Sequence, residues 1–223
     1  MEEEQRIEGI SRTMRIPEEV NDPAWREKRR LAAAIRKLTE LCVVTDAEAH
    51  VLGESADKIE QQVRLLSQEK RTTFVDAFQK RIYHREPEVY ADRSVLVGLA
   101  NPVAPPLRLE YVDGVSIGTV VFNEVFSGAP GMLHGGILAS VFDQILGHQL
   151  LNRGIGALTV NLEVQFHQPT LIERELRFEG NLESQEGRRF ILHGSCMDGE
   201  MLTAEAKAVF IQVPRGVFEK ARG

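Results

Sequence analysis

No apolar stretch in the sequence approaches the roughly 18 residues a membrane-spanning helix needs, so membrane insertion is not expected. The opening MEEEQRIEG is acidic and has no apolar run, which is not the pattern of a signal peptide. Cysteine is scarce. Cys42 and Cys196 stand far apart, form no metal-spaced pair, and read as free thiols of a reducing, cytoplasmic setting. Positive charge is also short: 27 Lys and Arg against 33 Asp and Glu give a formal net charge of −6. That balance argues against nucleic acid or an anionic membrane as the main partner, and an anionic ligand must then be met by a local basic cluster. Internal repeats and low-complexity segments are absent. What remains, 43% hydrophobic and 27% charged in 223 residues, is an ordinary globular chain: one large domain, or a modest domain with an extension.

Two periodicities divide the chain. Residues 1–90 read as an α-helical N-terminal extension. Asp22-Pro23 places a capping side chain before a proline at a first helical position. Leu31, Ile35, Leu38 and Cys42 then recur at helical spacing. Thr45 to Glu48 matches a capping box, followed by a stripe of Leu52, Ala56, Ile59, Val63 and Leu66. The two stripes predict a helical pair packed together or against the rest of the molecule. The basic run Arg26, Lys28, Arg29 and Arg30 has the charge to meet a polyanion, but a solvated helix face is the commoner explanation. Pro87, Pro102, Pro105 and Pro106 mark the segment from His84 to Pro106 as a connector, with the domain bounds of that connector set at residues 91–106.

From residue 107 to 213 the period changes to two. Strands are predicted at Leu107–Tyr111 and Ser116–Val125, around an Asp113-Gly114 turn. One helix follows, about Leu133 to Leu151. Further strands are predicted at Ala157–His167, Leu171–Glu183, Arg188–Met197 and Glu200–Val213, the last three joined through Glu186-Gly187 and Asp198-Gly199. This order predicts an α+β domain whose antiparallel sheet buries a single helix, with a tail over residues 214–223. Ile137, Leu138, Val141, Phe142, Ile145 and Leu146 leave that helix apolar around much of its circumference, as a core helix should be.

Asp143 sits in this apolar helix, where an unpaired charge is costly. It lies nine residues beyond His134, too deep for the helix dipole to favour it much. It is therefore either paired across an oligomer interface or held for chemistry. Gly135 and Gly136 open the helix, so their N–H groups can point at an incoming carbonyl oxygen. Gly136 and Asp143 are seven residues apart and share a face. An oxyanion donor and a carboxylate aligned in this way suit acyl-group hydrolysis.

The strings GMLHGGILASVFDQILG and LTVNLEVQFHQP, in this strand–helix–strand order, resemble the hotdog-fold acyl-CoA thioesterases of the PaaI/THEM4-like group; ANPVAPPLRLE resembles the approach to the first strand. The likeness covers residues 94 to 213. It implies a hotdog fold, an antiparallel sheet wrapped around one long central helix. It implies that His134 and Gly135, with Gly136 adjacent, bind the thioester oxygen, that Asp143 is nucleophile or general base, and that Thr159 helps to position water. It also implies sites formed between two subunits, hence at least a homodimer. Ser127 to Pro130 lacks an amide that some members carry. Strict alternation groups Leu158, Val160, Leu162, Val164 and Phe166 on one strand face and Thr159, Asn161, Glu163 and Gln165 on the other. Thr159 then reaches a site beside the helix only across a subunit boundary or through a bend in its strand.

Coenzyme A needs cations for its phosphates. Arg188 and Arg189 are the best pair and Arg153 is a further candidate, although a solvated hairpin tip explains them equally. Gly114-Val115-Ser116-Ile117-Gly118 has the form of a serine-hydrolase elbow, but a strand follows where that motif requires a helix. His50, His84, His134, His148, His167 and His193 show no ligand spacing, so no metal is implied, and no cofactor is required. His148 is placed near the helix end, where a cation is favoured, and His167 at a strand end on the surface. Two other functions fit the chain: hydration or dehydration of an acyl thioester, and non-catalytic binding of acyl-CoA or an acyl carrier protein.

Overall fold

The computed structural model describes residues 16, 19–73 and 91–214. The Pro87 stretch and the tail beyond Pro214 lie outside them. Two helices lead, α1 (Pro23–Val44) and α2 (Ala49–Ser67). Then come strands β1 (Arg108–Val112), β2 (Val115–Val121), β3 (Ser127–Ala129) and β4 (Met132–Leu133), and helix α3 (Gly135–Leu151). Strands β5 (Ala157–Phe166), β6 (Glu175–Glu186), β7 (Arg189–Asp198) and β8 (Met201–Gln212) complete the order. The main sheet runs β1-β2-β6-β7-β8-β5, antiparallel throughout, and β3-β4 form a small separate hairpin.

Turn chemistry sets the meander. Asp113 and Gly114 both take positive φ (50° and 84°), and Gly187 and Gly199 do the same at the two later hairpins. In the first of these, two successive left-handed residues match the twist of the flanking strands. The sheet curls around α3. Phe142, Val141, Ile145, Leu146 and Leu138 of the helix meet Leu176, Phe178, Phe190 and Leu192 of the sheet in one apolar core. Glycines let the helix come close: a Cβ on Gly180 would lie 2.7 Å from Ile145 Cγ2, and one on Gly194 3.0 Å from Phe142 Cδ1. This is the hotdog fold, with helices preceding it.

The leading helices depart from expectation. Asp22 does cap α1, its side chain accepting from Trp25 N–H at 2.9 Å, with Pro23 at the first turn. The capping box at Thr45–Glu48 does not form. Thr45 instead closes α1, its N–H bonding to Leu41 O, and Glu48 precedes α2 without a side-chain capping bond. Nor do the stripes find cover, since in α1 only Ala32 is buried and in α2 no residue is.

What docks α1 is polar. Asp92, fully buried, accepts from Trp25 Nε1–H and from Arg29 Nε–H, each at 2.6 Å, and from the Leu99 N–H at 3.1 Å. Arg36 adds a bond to Asn101 O at 2.8 Å. Trp25, Arg29, Ala32 and Arg36 recur at helical spacing, so the docking face is a second stripe beside the apolar one.

His148 does stand in the last turn of α3, but not as a cation. It is buried, and burial lowers its pKa from 6.5 to about 4. Asn152 Nδ2 donates to both His148 O and His148 Nε2, at 2.8 and 2.9 Å, so the ring proton sits on Nδ1 and goes to Ser116 Oγ at 3.0 Å. The ring therefore donates to the serine and cannot take its proton. Ser116 itself is fully buried within β2, which disposes of the elbow.

This imidazole makes stability depend on pH. The folded chain holds it neutral, whereas the unfolded chain protonates it below about pH 6.5. Stability is full above that value and falls as the pH drops toward 4. The loss is at most about 3 kcal/mol for a shift of this size. Denaturant midpoints measured between pH 7 and 4 should fall for the wild type and flatten in His148→Gln; equal slopes would refute the assignment.

Candidate active site

His134 is the N-cap of α3, and its Nδ1 accepts from Gly136 N–H at 3.0 Å. Two consequences follow. The Gly136 N–H is engaged, leaving Gly135, for whose N–H no acceptor stands among the described residues. With Nδ1 accepting, the neutral ring carries its proton on Nε2, a second donor at the helix start. The cap is held by the preceding hairpin: His134 N–H bonds to Phe126 O at 2.9 Å, and Leu133 N–H to Thr170 O at 2.8 Å. Gly128 is required there, because a Cβ on it would lie 2.8 Å from His134 Cα.

A cleft of about 490 Å³ opens at this helix start, lined by Gly128, Leu133, His134, Gly135, Leu138 and Phe166 among others. Phe166 lies over Gly135, where an added Cβ would come within 3.2 Å of its ring. Thr170 also lines the cleft, and its buried hydroxyl has no partner among the described residues. Neither residue was singled out from sequence for this role. His167 lies exposed just past the end of β5, where it borders the cleft and contacts Glu205 at 2.8 Å.

Asp143 is half-buried rather than enclosed, and Thr159 Oγ1 donates to its Oδ1 at 2.6 Å within the same chain. The strand bends to allow this. Against β8, Thr159 faces Phe210 and Asn161 faces Val209, so Val160 is an extra residue, a β-bulge. Before the bulge Ala157 and Thr159 turn toward the helix; after it Leu162 and Val164 pack against the core instead. Strict alternation fails at that one residue.

The structure separates the two halves of the site. His134 and Asp143 are nine residues apart on one helix, about 13 Å along its axis at 1.5 Å per residue. Of the arginines, Arg189 is placed nearest the Asp143 half by strand register. Arg189 pairs with Ile211, and Ile211 with Leu158 next to Thr159, two strand spacings or about 10 Å away. Arg188 donates to Gln212 O at 3.0 and 2.7 Å, and exposed Arg153 follows the end of α3 beside Gly114. Among the described residues no cluster of His, Cys, Asp and Glu is placed to hold a metal, and no helix is long and apolar enough to cross a membrane.

Residues 130–205 match the family model described as the thioesterase superfamily. The chain is 27% identical over 150 residues to the acyl-coenzyme A thioesterase THEM4 of Mus musculus, covering 66% of this chain and 63% of the relative. It is 33% identical over 90 residues to the protein of the same name in Bos taurus, covering 39% and 36%. The chain thus spans less than two thirds of these relatives. A crystal structure described as a thioesterase superfamily protein superimposes with a TM-score of 0.72 at 23% identity, covering 88% of this chain and 97% of the other. That likeness extends the shared fold beyond the sheet and its helix.

Proposed function

We propose that this chain, whose residues 130–205 match the thioesterase superfamily model, is an acyl-CoA thioesterase of the PaaI/THEM4-like kind whose active sites each draw on two copies. The observation that carries the reading is the pairing of an oxyanion donor at Gly135, without an acceptor among the described residues, with a half-exposed carboxylate at Asp143, on one helix but about 12 Å apart. A reacting carbonyl must lie about 3 Å from both groups, and one chain cannot supply that. A second copy supplies it.

The edge of the sheet supports this arrangement. β5 is ten residues long and among the described residues pairs only with β8, and it exposes Leu158, Val160 and Phe166. A long apolar edge of this kind is normally covered. Two copies joined at β5 would bring Asp143 of one toward the His134-Gly135 turn of the other.

In this reading the Gly135 N–H and the His134 Nε2–H stabilise the negative charge that develops on the thioester oxygen. Asp143 acts as base on water or as nucleophile, giving free acid and coenzyme A. Thr159 holds one carboxylate oxygen and leaves the other to face the carbonyl carbon. Arg188, Arg189 and Arg153 meet the coenzyme's phosphates. Two free cysteines support a reducing, cytoplasmic setting.

The test is release of free thiol from short, long and aromatic acyl-CoAs, followed with a thiol reagent. Saturable release supports the reading. Binding without release would leave a carrier-binding protein, and consumption of an enoyl thioester without release would leave a hydratase. Thr159→Val should lower kcat by about tenfold with little change in KM, the effect of losing one hydrogen bond to a charged group. Thr159→Ser should keep most of the rate, and an unchanged Thr159→Val rate would remove the hydroxyl from the mechanism.

A further inference from the structure

Every residue from Glu48 to Arg71 is exposed, so α2 rests on nothing among the described residues. A lone helix of 19 residues is marginal in water. Gly53 in its second turn costs it roughly 1 kcal/mol more. Yet α2 carries an apolar seam that repeats in sevens. Ala49, Ala56 and Val63 occupy one heptad position, and Leu52, Ile59 and Leu66 occupy the position three residues on. That is a coiled-coil seam, which calls for another helix rather than for a sheet or a flat surface. The same count places Leu31, Ile35, Leu38 and Cys42 of α1 in register with it, and Leu31, Ile35 and Leu38 remain 37–43% exposed.

We propose that α2 pairs with α2 of a second copy of this chain, as a parallel two-stranded coiled coil. The chain's own α1 is excluded as the occupant. The Thr45–Glu48 link is short enough for a hairpin, but both seams remain open. An anionic membrane surface is disfavoured, because α2 carries Glu54, Asp57 and Glu60 against only Lys58 and Arg64.

The flanking positions suit an identical, parallel partner. In that register Glu48 faces Gly53, Ser55 faces Glu60, and Gln62 faces Ser67, so no like charges meet. An antiparallel partner centred on the seam would oppose Glu60 with its own copy. The remaining charges are largely balanced within the helix, where Lys58 meets Glu54 at 2.7 Å and Arg64 meets Glu60 at 3.4 Å. What is left for the partner is an uncharged apolar seam about 28 Å long.

Disulfide trapping of the full-length chain tests the pairing without reading turnover, so it stands whatever the outcome of the hydrolase assay. Cys42→Ser removes the exposed thiol, and buried Cys196 stays unreactive. In that background Leu52→Cys and Leu66→Cys should each link to their own copies under mild oxidation, several-fold faster than outward-facing Lys58→Cys. The rate advantage should survive dilution. Linking only when Leu52→Cys and Leu66→Cys are mixed would show an antiparallel pair and overturn the proposal. So would rates no faster than Lys58→Cys, which would assign the seam to a different partner.

Discussion

Asp143→Asn should lower acyl-CoA hydrolysis by about a thousandfold, within the range lost with a positioned acid–base group, and leave KM and the unfolding midpoint nearly unchanged. The fold should tolerate the change because Asp143 is half-exposed and the amide is close in shape to the carboxylate. The Thr159 hydroxyl can still donate to the amide oxygen. What is lost is the charge. A shared site makes a further demand on the same variant. Asp143→Asn and His134→Ala, each nearly inactive alone, should regain activity when unfolded and refolded together. In a random mixture half the dimers are mixed and one of their two sites is intact, so recovery should approach about a quarter of the wild-type rate. Recovery of nothing, with mixed dimers demonstrated by mass, would place the whole site in one chain. A full rate in Asp143→Asn would end the proposed chemistry altogether.

Asp92→Ala should cost about 3 kcal/mol and lower Tm by roughly 10 °C in a chain of this length. The carboxylate is fully buried between the Trp25 and Arg29 donors of α1. Removing it strands the indole N–H and takes from the Arg29 guanidinium the buried carboxylate it faces. Since Trp25 is the sole tryptophan, its emission reports on this contact alone. The maximum should shift to the red as α1 loosens, with the far-UV spectrum of sheet and helix retained. An unshifted maximum and an unchanged Tm would mean that α1 is held by something other than this latch. Asn at the same place keeps an acceptor for the indole but loses the charge facing Arg29, and should fall between the two.

The domain was legible because its signals are local. Asp-Gly and Gly-containing turns force hairpins wherever the chain meets them, and a stripe of apolar residues that leaves no polar face forces α3 into a core. His134-Gly135-Gly136 at the start of that helix and Asp143 within it were readable for the same reason, since cap geometry and helical spacing depend on a few neighbours. The small β3-β4 hairpin was missed: its five strand residues (three in β3, two in β4) are too few to show a period of two. The capping box at Thr45 matched a pattern whose helix begins later than the pattern requires.

What the sequence determined by itself, then, is an antiparallel sheet around one apolar helix, with a capped glycine turn and a carboxylate nine residues along. Tertiary structure decided how those groups can be used. Thr159 reaches Asp143 because β5 carries one more residue than β8 across Val160, an offset that exists only between two paired strands. Gly136 is withdrawn from ligand binding by the rotamer of His134, and His148 is neutral because the sheet closes over it. Periodicity shows which face of an element turns inward; it does not show what the element meets there.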